Sequence, residues 1–273
     1  VMKTKQNEFI SDCLRRINWI IVDLSHPGNL GAAARAIKVM DGSNLKLVNP
    51  RYINMINDER AISRAAGGID LLKNITNSSF DVAIEKCNHV IAFTSRRRKI
   101  NPRRLSFHKM IEKVVAHLVQ DSSYRVSMVF GGERNGLTNE NLLCCTHVCE
   151  IESNPDYPSL NLSHAIQIVA FSMRAEVVKK SDSIEKKRKL LFHNDKILND
   201  GHKSTIQMEK IFKLKKLFFD ISSEVGLNKN KREKSFESRI NRILLSTNLS
   251  ETDFRILESF LALTKKKLKK TEQ

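Results

Sequence analysis

The 273-residue chain predicts an α/β fold: a mostly parallel sheet with helices on both faces, followed by a small C-terminal helical extension. Three observations carry this expectation. Short apolar runs of strand length alternate with segments of helical periodicity as far as residue 178. Those runs are mostly apolar at successive positions, as strands covered on both faces require. Beyond residue 203 only helical spacing remains.

Residues 17–23, Ile-Asn-Trp-Ile-Ile-Val-Asp, make a first strand. Residues 29–40 are Ala-rich and helical, with Asn29 as the N-cap. Residues 45–48 form a second strand, closed by Asn49-Pro50. Helices are predicted over 58–66 and 80–87, and a buried strand over 90–94. That strand runs into a basic loop, 95–104, which holds Arg96, Arg97, Arg98, Lys99, Arg103 and Arg104. Residues 107–119 read as an amphipathic helix, with Met110, Ile111, Val114, Val115 and Leu118 on one stripe. Strands over 126–130 and 148–151 and a long helix over 160–178 complete an α/β domain spanning 15–180. The charged stretch 181–203 reads as a linker or a charged helix. Helices over 206–224, 236–246 and 251–268 define an extension over 204–270. Its stripe of Phe212, Leu214, Leu217, Phe218 and Ile221 is too small for a large core of its own.

The net charge is +17, from 47 Lys and Arg against 30 acids. The excess is uneven, since residues 174–273 carry 25 basic and 14 acidic residues. Such a field favours a polyanion, and nucleic acid is the partner it implies; solvated helix faces are the plainer alternative. No run of about 18 apolar residues is present, so no membrane span is expected. Val1-Met2-Lys3-Thr4-Lys5-Gln6-Asn7 lacks an apolar signal core, so a cytoplasmic location is expected. The cysteines, Cys13, Cys87, Cys144, Cys145 and Cys149, form no C-x2-C pair. They read as buried thiols in a reducing compartment, and no metal site is expected.

Three separated segments read as parts of one site. They are Asn29-x-Gly31-x3-Arg35, then Phe130-Gly131-Gly132-Glu133-Arg134-Asn135-Gly136-Leu137, then Pro155-Asp156-Tyr157-Pro158-Ser159-Leu160-Asn161-Leu162-Ser163. Each follows a predicted strand, and Gly- and Asn-rich turns at strand ends are where α/β sheets place ligands. Arg35 lies six residues beyond Asn29, so both can border one cleft, or Arg35 can reach from the helix to solvent. Gly131 and Gly132 let backbone meet a flat ligand. Glu133 is open to three readings: a general base, an orienting group, or a turn residue. Ser159 and Asn161 supply uncharged hydrogen-bonding groups at a helix start, where either also serves as a cap. His164 reads as a helix-face residue. The first turn, Ser25-His26-Pro27-Gly28-Asn29-Leu30-Gly31, does not fit G-x-G-x-x-G. There is no G-x4-G-K-[ST] loop and no defensible Ser-His-Asp arrangement, so ordinary dinucleotide and hydrolase chemistry lack support.

Together these segments resemble the three motifs of the SPOUT superfamily of knotted methyltransferases, in its SpoU/TrmH branch, with tRNA 2'-O-methyltransferases of the TrmJ type the nearest match. The likeness covers residues 17–178 well and 206–268 more loosely. It implies a trefoil knot in the C-terminal half of the α/β domain, a homodimer, and S-adenosylmethionine held mainly by backbone groups. Matched position by position, cofactor contacts fall at Thr94, Ser95, Arg96, Gly131, Ile151, Pro158, Ser159 and Leu160. The resemblance places the catalytic Arg at Arg35, supported by Asn29, Glu133, Ser159 and Asn161. Relatives often have Ser where this chain has Pro158, so a contact there uses the carbonyl; a small residue can stand at Arg96.

The activity this implies is methylation of a ribose 2'-hydroxyl in tRNA, at nucleotide 32 of the anticodon loop. RNA phosphates would meet Arg35, Arg97, Arg98, Lys99, Arg103 and Arg104. Ribosomal RNA as substrate, a non-catalytic RNA-binding member, and an unknotted nucleotide enzyme are the alternatives.

Overall fold

The computed structural model describes residues 2–96, 102–191, 205–227 and 233–271. Helix α1 (Met2–Arg15) buries Ile10, Cys13 and Leu14. Strand β1 (Ile17–Val22), buried throughout, leads to helix α2 (Pro27–Val39). Strand β2 (Asn44–Val48) and a 3-10 turn (Ile53–Asn57) precede helices α3 (Glu59–Ala65) and α4 (Ile69–Lys73). Strand β3 (Thr76–Asn77) and helix α5 (Phe80–Ile84) follow. Then come β4 (His89–Phe93), β5 (Arg103–Ser106), α6 (Phe107–Gln120), β6 (Val126–Gly131), α7 (Asn139–Leu143), β7 (His147–Glu150) and α8 (Leu162–Leu191). Helices α9 (Met208–Glu224), α10 (Glu233–Ser246) and α11 (Glu251–Thr271) close the chain.

Among the described residues the strands form one sheet, ordered β3-β2-β1-β6-β4-β7-β5, with every pairing parallel. This is the predicted fold class. The period-2 geometry of a strand divides β1 between two cores. Ile17, Trp19 and Ile21 pack with α1, α2, α6 and α8, whereas Ile20 and Val22 face α5, α7 and the C-terminal helices. The central strands β1, β6 and β4 are buried along nearly their whole length.

Several expectations are corrected. Helix α2 begins at Pro27, not Asn29, and its N-cap is His26, whose Nδ1 accepts from the Gly28 N–H at 3.1 Å. Proline suits the first helical position because its fixed φ is already helical and its missing N–H needs no partner there. Asn29 therefore sits inside the first turn, with its side chain free for other bonds.

The basic loop 95–104 ends as strand β5, which pairs with β7 from Arg103↔His147 to Ser106↔Glu150. No apolar run announces β5, because an edge strand with exposed side chains needs only backbone bonds, and charge guards such an edge. Of the two readings offered for 181–203, residues 181–191 follow the charged helix, as a continuation of α8; residues 192–204 lie outside the described residues.

The extension, read from the sequence as too small for a large core of its own, shares the core of the sheet. Ile206, Met208, Ile211, Leu214, Leu244, Phe254 and Leu261 join the second-face core with Val22, Ile84, Val90 and Val129. Backbone bonds fix this docking, from Met208 N to Cys87 O and from Glu209 N to Glu85 O, both 2.8 Å. Each large apolar side chain buried there contributes about 1.5–3 kcal/mol. The strands β4, β6 and β7 need a cover on that face, and these helices supply it.

Candidate active site

The strand order sets the C-terminal ends of β6, β4 and β7 side by side. The loops leaving them enclose one cleft, at the end of the sheet where α/β folds bind ligands. The β4 end gives Phe93, Thr94, Ser95 and Arg96; the β6 end gives Phe130, Gly131, Gly132, Glu133, Gly136 and Leu137. Ile151 follows β7, and Pro158, Ser159 and Leu160 approach α8, whose Leu162 and Ala165 complete the wall. The cleft is open to solvent on one side and has a cavity volume of about 160 Å³. The expected cofactor positions Thr94, Ser95, Arg96, Gly131, Ile151, Pro158, Ser159 and Leu160 all line it. Phe93 and Phe130 stack at 4.8 Å with planes 6° apart, giving it an apolar wall.

The glycines are there because chain segments nearly touch. A Cβ on Gly131 would lie 2.2 Å from the Gly136 carbonyl carbon and 2.3 Å from the Leu137 nitrogen. One on Gly132 would lie 2.1 Å from the Asp23 carbonyl oxygen. Gly136 has φ +62°, a left-handed conformation that glycine adopts without strain.

A chain of side-chain hydrogen bonds joins all three predicted segments. Asn29 Nδ2 donates to Glu133 Oε1 at 2.7 Å, and Asn161 Nδ2 donates to Asn29 Oδ1 at 3.2 Å. Asn161 Oδ1 accepts from the Ser163 N–H at 2.9 Å and the Ser163 hydroxyl at 2.7 Å. Glu133 Oε2 accepts from the Ser25 N–H at 3.0 Å and the Ser25 hydroxyl at 2.7 Å. Burial pushes the Glu133 carboxyl up, but the bonds from Asn29 and Ser25 outweigh it and hold it below its ordinary value. Glu133 is thus a carboxylate at neutral pH, with both oxygens engaged.

Arg35 is placed differently. It is exposed on α2, does not line the cleft, and makes no hydrogen bond or ion pair with the described residues. Ser159 is exposed at the cleft wall, and His164 is exposed on α8, as a helix-face residue should be. The Pro158 carbonyl accepts from the Ser153 hydroxyl at 3.3 Å. Arg104 pairs with Glu150 at 2.7 Å, Arg103 is exposed on the sheet edge, and Arg97, Arg98 and Lys99 lie outside the described residues. No helix among the described residues is long and apolar enough to cross a membrane.

Sequence reasoning missed Ser25 and the Phe93–Phe130 wall. Both phenylalanines were visible as strand residues, but only the β4–β6 pairing shows that they meet. Nothing local to Ser25 signals a carboxylate 108 positions away.

Residues 16–171 match the model of the SpoU rRNA Methylase family. The chain belongs to that family, whose members are methyltransferases of the SPOUT superfamily. It is 30% identical over 265 residues to an uncharacterized tRNA/rRNA methyltransferase of Haemophilus influenzae, covering 95% of this chain and 99% of that one. It is 38% identical over 175 residues to the tRNA (cytidine/uridine-2'-O-)-methyltransferase TrmJ of Photorhabdus laumondii, covering 64% and 70% of the two. The crystal structure of TrmJ from Zymomonas mobilis shares the fold, with a TM-score of 0.72 at 20% identity over 90% of this chain and 97% of that one.

Proposed function

We propose that this chain transfers a methyl group from S-adenosylmethionine to a ribose 2'-hydroxyl of tRNA, at nucleotide 32 of the anticodon loop. One observation carries the reading: the three segments meet through Glu133, Asn29 and Asn161 beside a cleft lined by Gly131 and Gly132, in a chain of this family. The names of its TrmJ relatives and the charge of +17 support RNA, and tRNA in particular, as substrate.

The cleft fits the donor. Stacked aromatic side chains, Leu137 and Leu162 suit a flat base, and the glycine crossings leave main chain, not side chains, at its surface. Thr94, Ser95, Arg96, Gly131, Ile151, Pro158, Ser159 and Leu160 would hold it. Once bound, S-adenosylmethionine supplies an activated methyl on a sulfonium. The chain's own residues then align the sugar oxygen and assist loss of its proton. Glu133, with both oxygens engaged, orients Asn29 rather than acting as a base. Asn161, fixed by Ser163, orients Asn29 from the other side, and Ser159 presents its hydroxyl at the wall. Arg35, exposed on α2 and outside the cleft lining, would be the cation that faces the incoming ribose. A guanidinium is almost always protonated, so it stabilises the emerging alkoxide instead of removing a proton.

The reading includes a homodimer and a trefoil knot. Support for the knot is that β6 enters between the earlier strands β1 and β4, and β7 between β4 and β5, with Gly131 pressed against Gly136 and Leu137. Arg97, Arg98, Lys99, Arg103 and Arg104 would grip phosphates alongside the basic extension. The test is incubation of the pure protein with total RNA and methyl-labelled donor, followed by mass-spectrometric mapping. A 2'-O-methyl at tRNA nucleotide 32 is expected; label confined to ribosomal RNA, or absent, refutes the assignment.

A further inference from the structure

The hairpin that carries Glu133 is fastened on two sides. Its base is closed by the Gly136 N–H donating to the Gly132 carbonyl at 3.0 Å. On one side the Glu133 carboxylate is held by Ser25 and Asn29. On the other, Arg96 reaches across the cleft from the β4 loop. Its Nη1 donates to the Asn135 carbonyl at 3.0 Å and its Nη2 to the Arg134 carbonyl at 3.5 Å. The Arg96 N–H donates to the Thr94 hydroxyl at 3.2 Å, which turns the loop at that point. The walls that Arg96 joins, Thr94 to Arg96 and Gly131 to Leu137, are two sides of the same cleft.

We infer that Arg96 is a strap that holds the β6–α7 hairpin over the cleft and sets how long a nucleoside ligand stays bound. This rests on the reading of the cleft as the donor site. The chemistry favours arginine: its planar fork offers several N–H donors, so one side chain spans two neighbouring carbonyls, which a lysine ammonium does poorly. Bonds from a charged donor are stronger than neutral ones, yet this one is exposed and can open without disturbing the core. The Arg96 guanidinium, as distinct from any main-chain contact of Arg96 to the donor, therefore positions the hairpin, and its effect falls on ligand exchange.

The experiment compares wild type, Arg96→Ala and Arg96→Lys, chasing bound tritiated S-adenosylhomocysteine with excess unlabelled compound. Loss of the strap should speed dissociation about 3–10-fold, the effect of removing one or two modest hydrogen bonds. The KM for the donor should rise in similar proportion, with a smaller change in kcat, while Arg96→Lys recovers part of the loss. Equal dissociation rates and KM values in wild type and Arg96→Ala overturn the strap but leave the donor site standing. Failure of folded wild type to bind S-adenosylhomocysteine at all overturns both.

Discussion

Asn29 and Glu133, 104 positions apart, are joined by a 2.7 Å hydrogen bond, and the other end of the Asn29 amide accepts from Asn161. An amide can donate to a carboxylate through its nitrogen and accept from a second amide through its oxygen at once. Asn29→Ala should strip Glu133 of one donor and Asn161 of its acceptor, lowering stability by about 1–3 kcal/mol. Methyl transfer should fall at least about tenfold, the size of effect that about 1.4 kcal/mol produces. Asn29→Asp should be worse, because it sets a second carboxylate against Glu133. Denaturant unfolding and initial rates of methylation check both.

Arg35 is exposed and makes no ion pair with the described residues, so replacing it should leave the fold intact. Arg35→Lys keeps the charge but loses the planar fork, and turnover should drop about tenfold or more with little change in melting temperature. Near-normal turnover would remove any specific role for the guanidinium.

The glycine crossings separate two substitutions that look alike in sequence. Gly131→Ala forces a methyl into the Gly136–Leu137 backbone and should destabilise by about 3 kcal/mol while abolishing ligand binding. Gly67→Ala has nothing within 4 Å of the new Cβ and should change stability by less than about 0.5 kcal/mol. Thermal melts with and without S-adenosylhomocysteine distinguish them.

Acid should unfold the protein through its buried imidazoles. Burial first, then the charges of Lys113 and Arg103, lowers His147 from its ordinary 6.5 to about 4. Burial likewise depresses His89, which accepts no proton readily beside Tyr124, His117 and His147. Between pH 6.5 and 4 the unfolded chain binds protons that the folded chain refuses. Stability therefore falls as pH drops through that window, by about 3 kcal/mol for His147 alone. Glu133 adds to the loss at lower pH, since its folded value lies below its ordinary 4.5. Urea melts across this range should show the slope, and His147→Asn should flatten it.

Arg103 and Arg104 should not contribute equally to RNA binding. Arg104 is already paired with Glu150, whereas Arg103 is exposed on the edge strand. Arg103→Ala should reduce the slope of log affinity against log salt by about 0.7–0.9, one phosphate contact, and Arg104→Ala by less. Filter binding of tRNA at several salt concentrations measures this; equal slopes in wild type and Arg103→Ala would exclude Arg103 from the interface.

The parts of the fold that follow from local pattern were readable in the sequence. Apolar runs such as residues 126–130 bury both faces of a strand, and the stripe from Met110 to Leu118 fixes a helix face. Strand β5 was not readable, because its side chains carry charge and its order comes from β7. Helix α1 was missed for a related reason: packing of Ile10, Cys13 and Leu14 settles what a polar sequence leaves undecided. In the site, residue types and spacing picked out Asn29, Glu133 and Asn161, but only the fold shows that they bond in series. His26, not Asn29, caps α2, and that exchange of duties is what frees the Asn29 amide.

The central claim is that the cleft between the β4, β6 and β7 loops is the methyl-donor site. Isothermal titration of the folded protein with S-adenosylhomocysteine tests it most directly. The account predicts saturable heat at one site per chain, lost in Gly131→Ala. A folded wild type that gives no heat, or a Gly131→Ala protein that binds as wild type does, would contradict it.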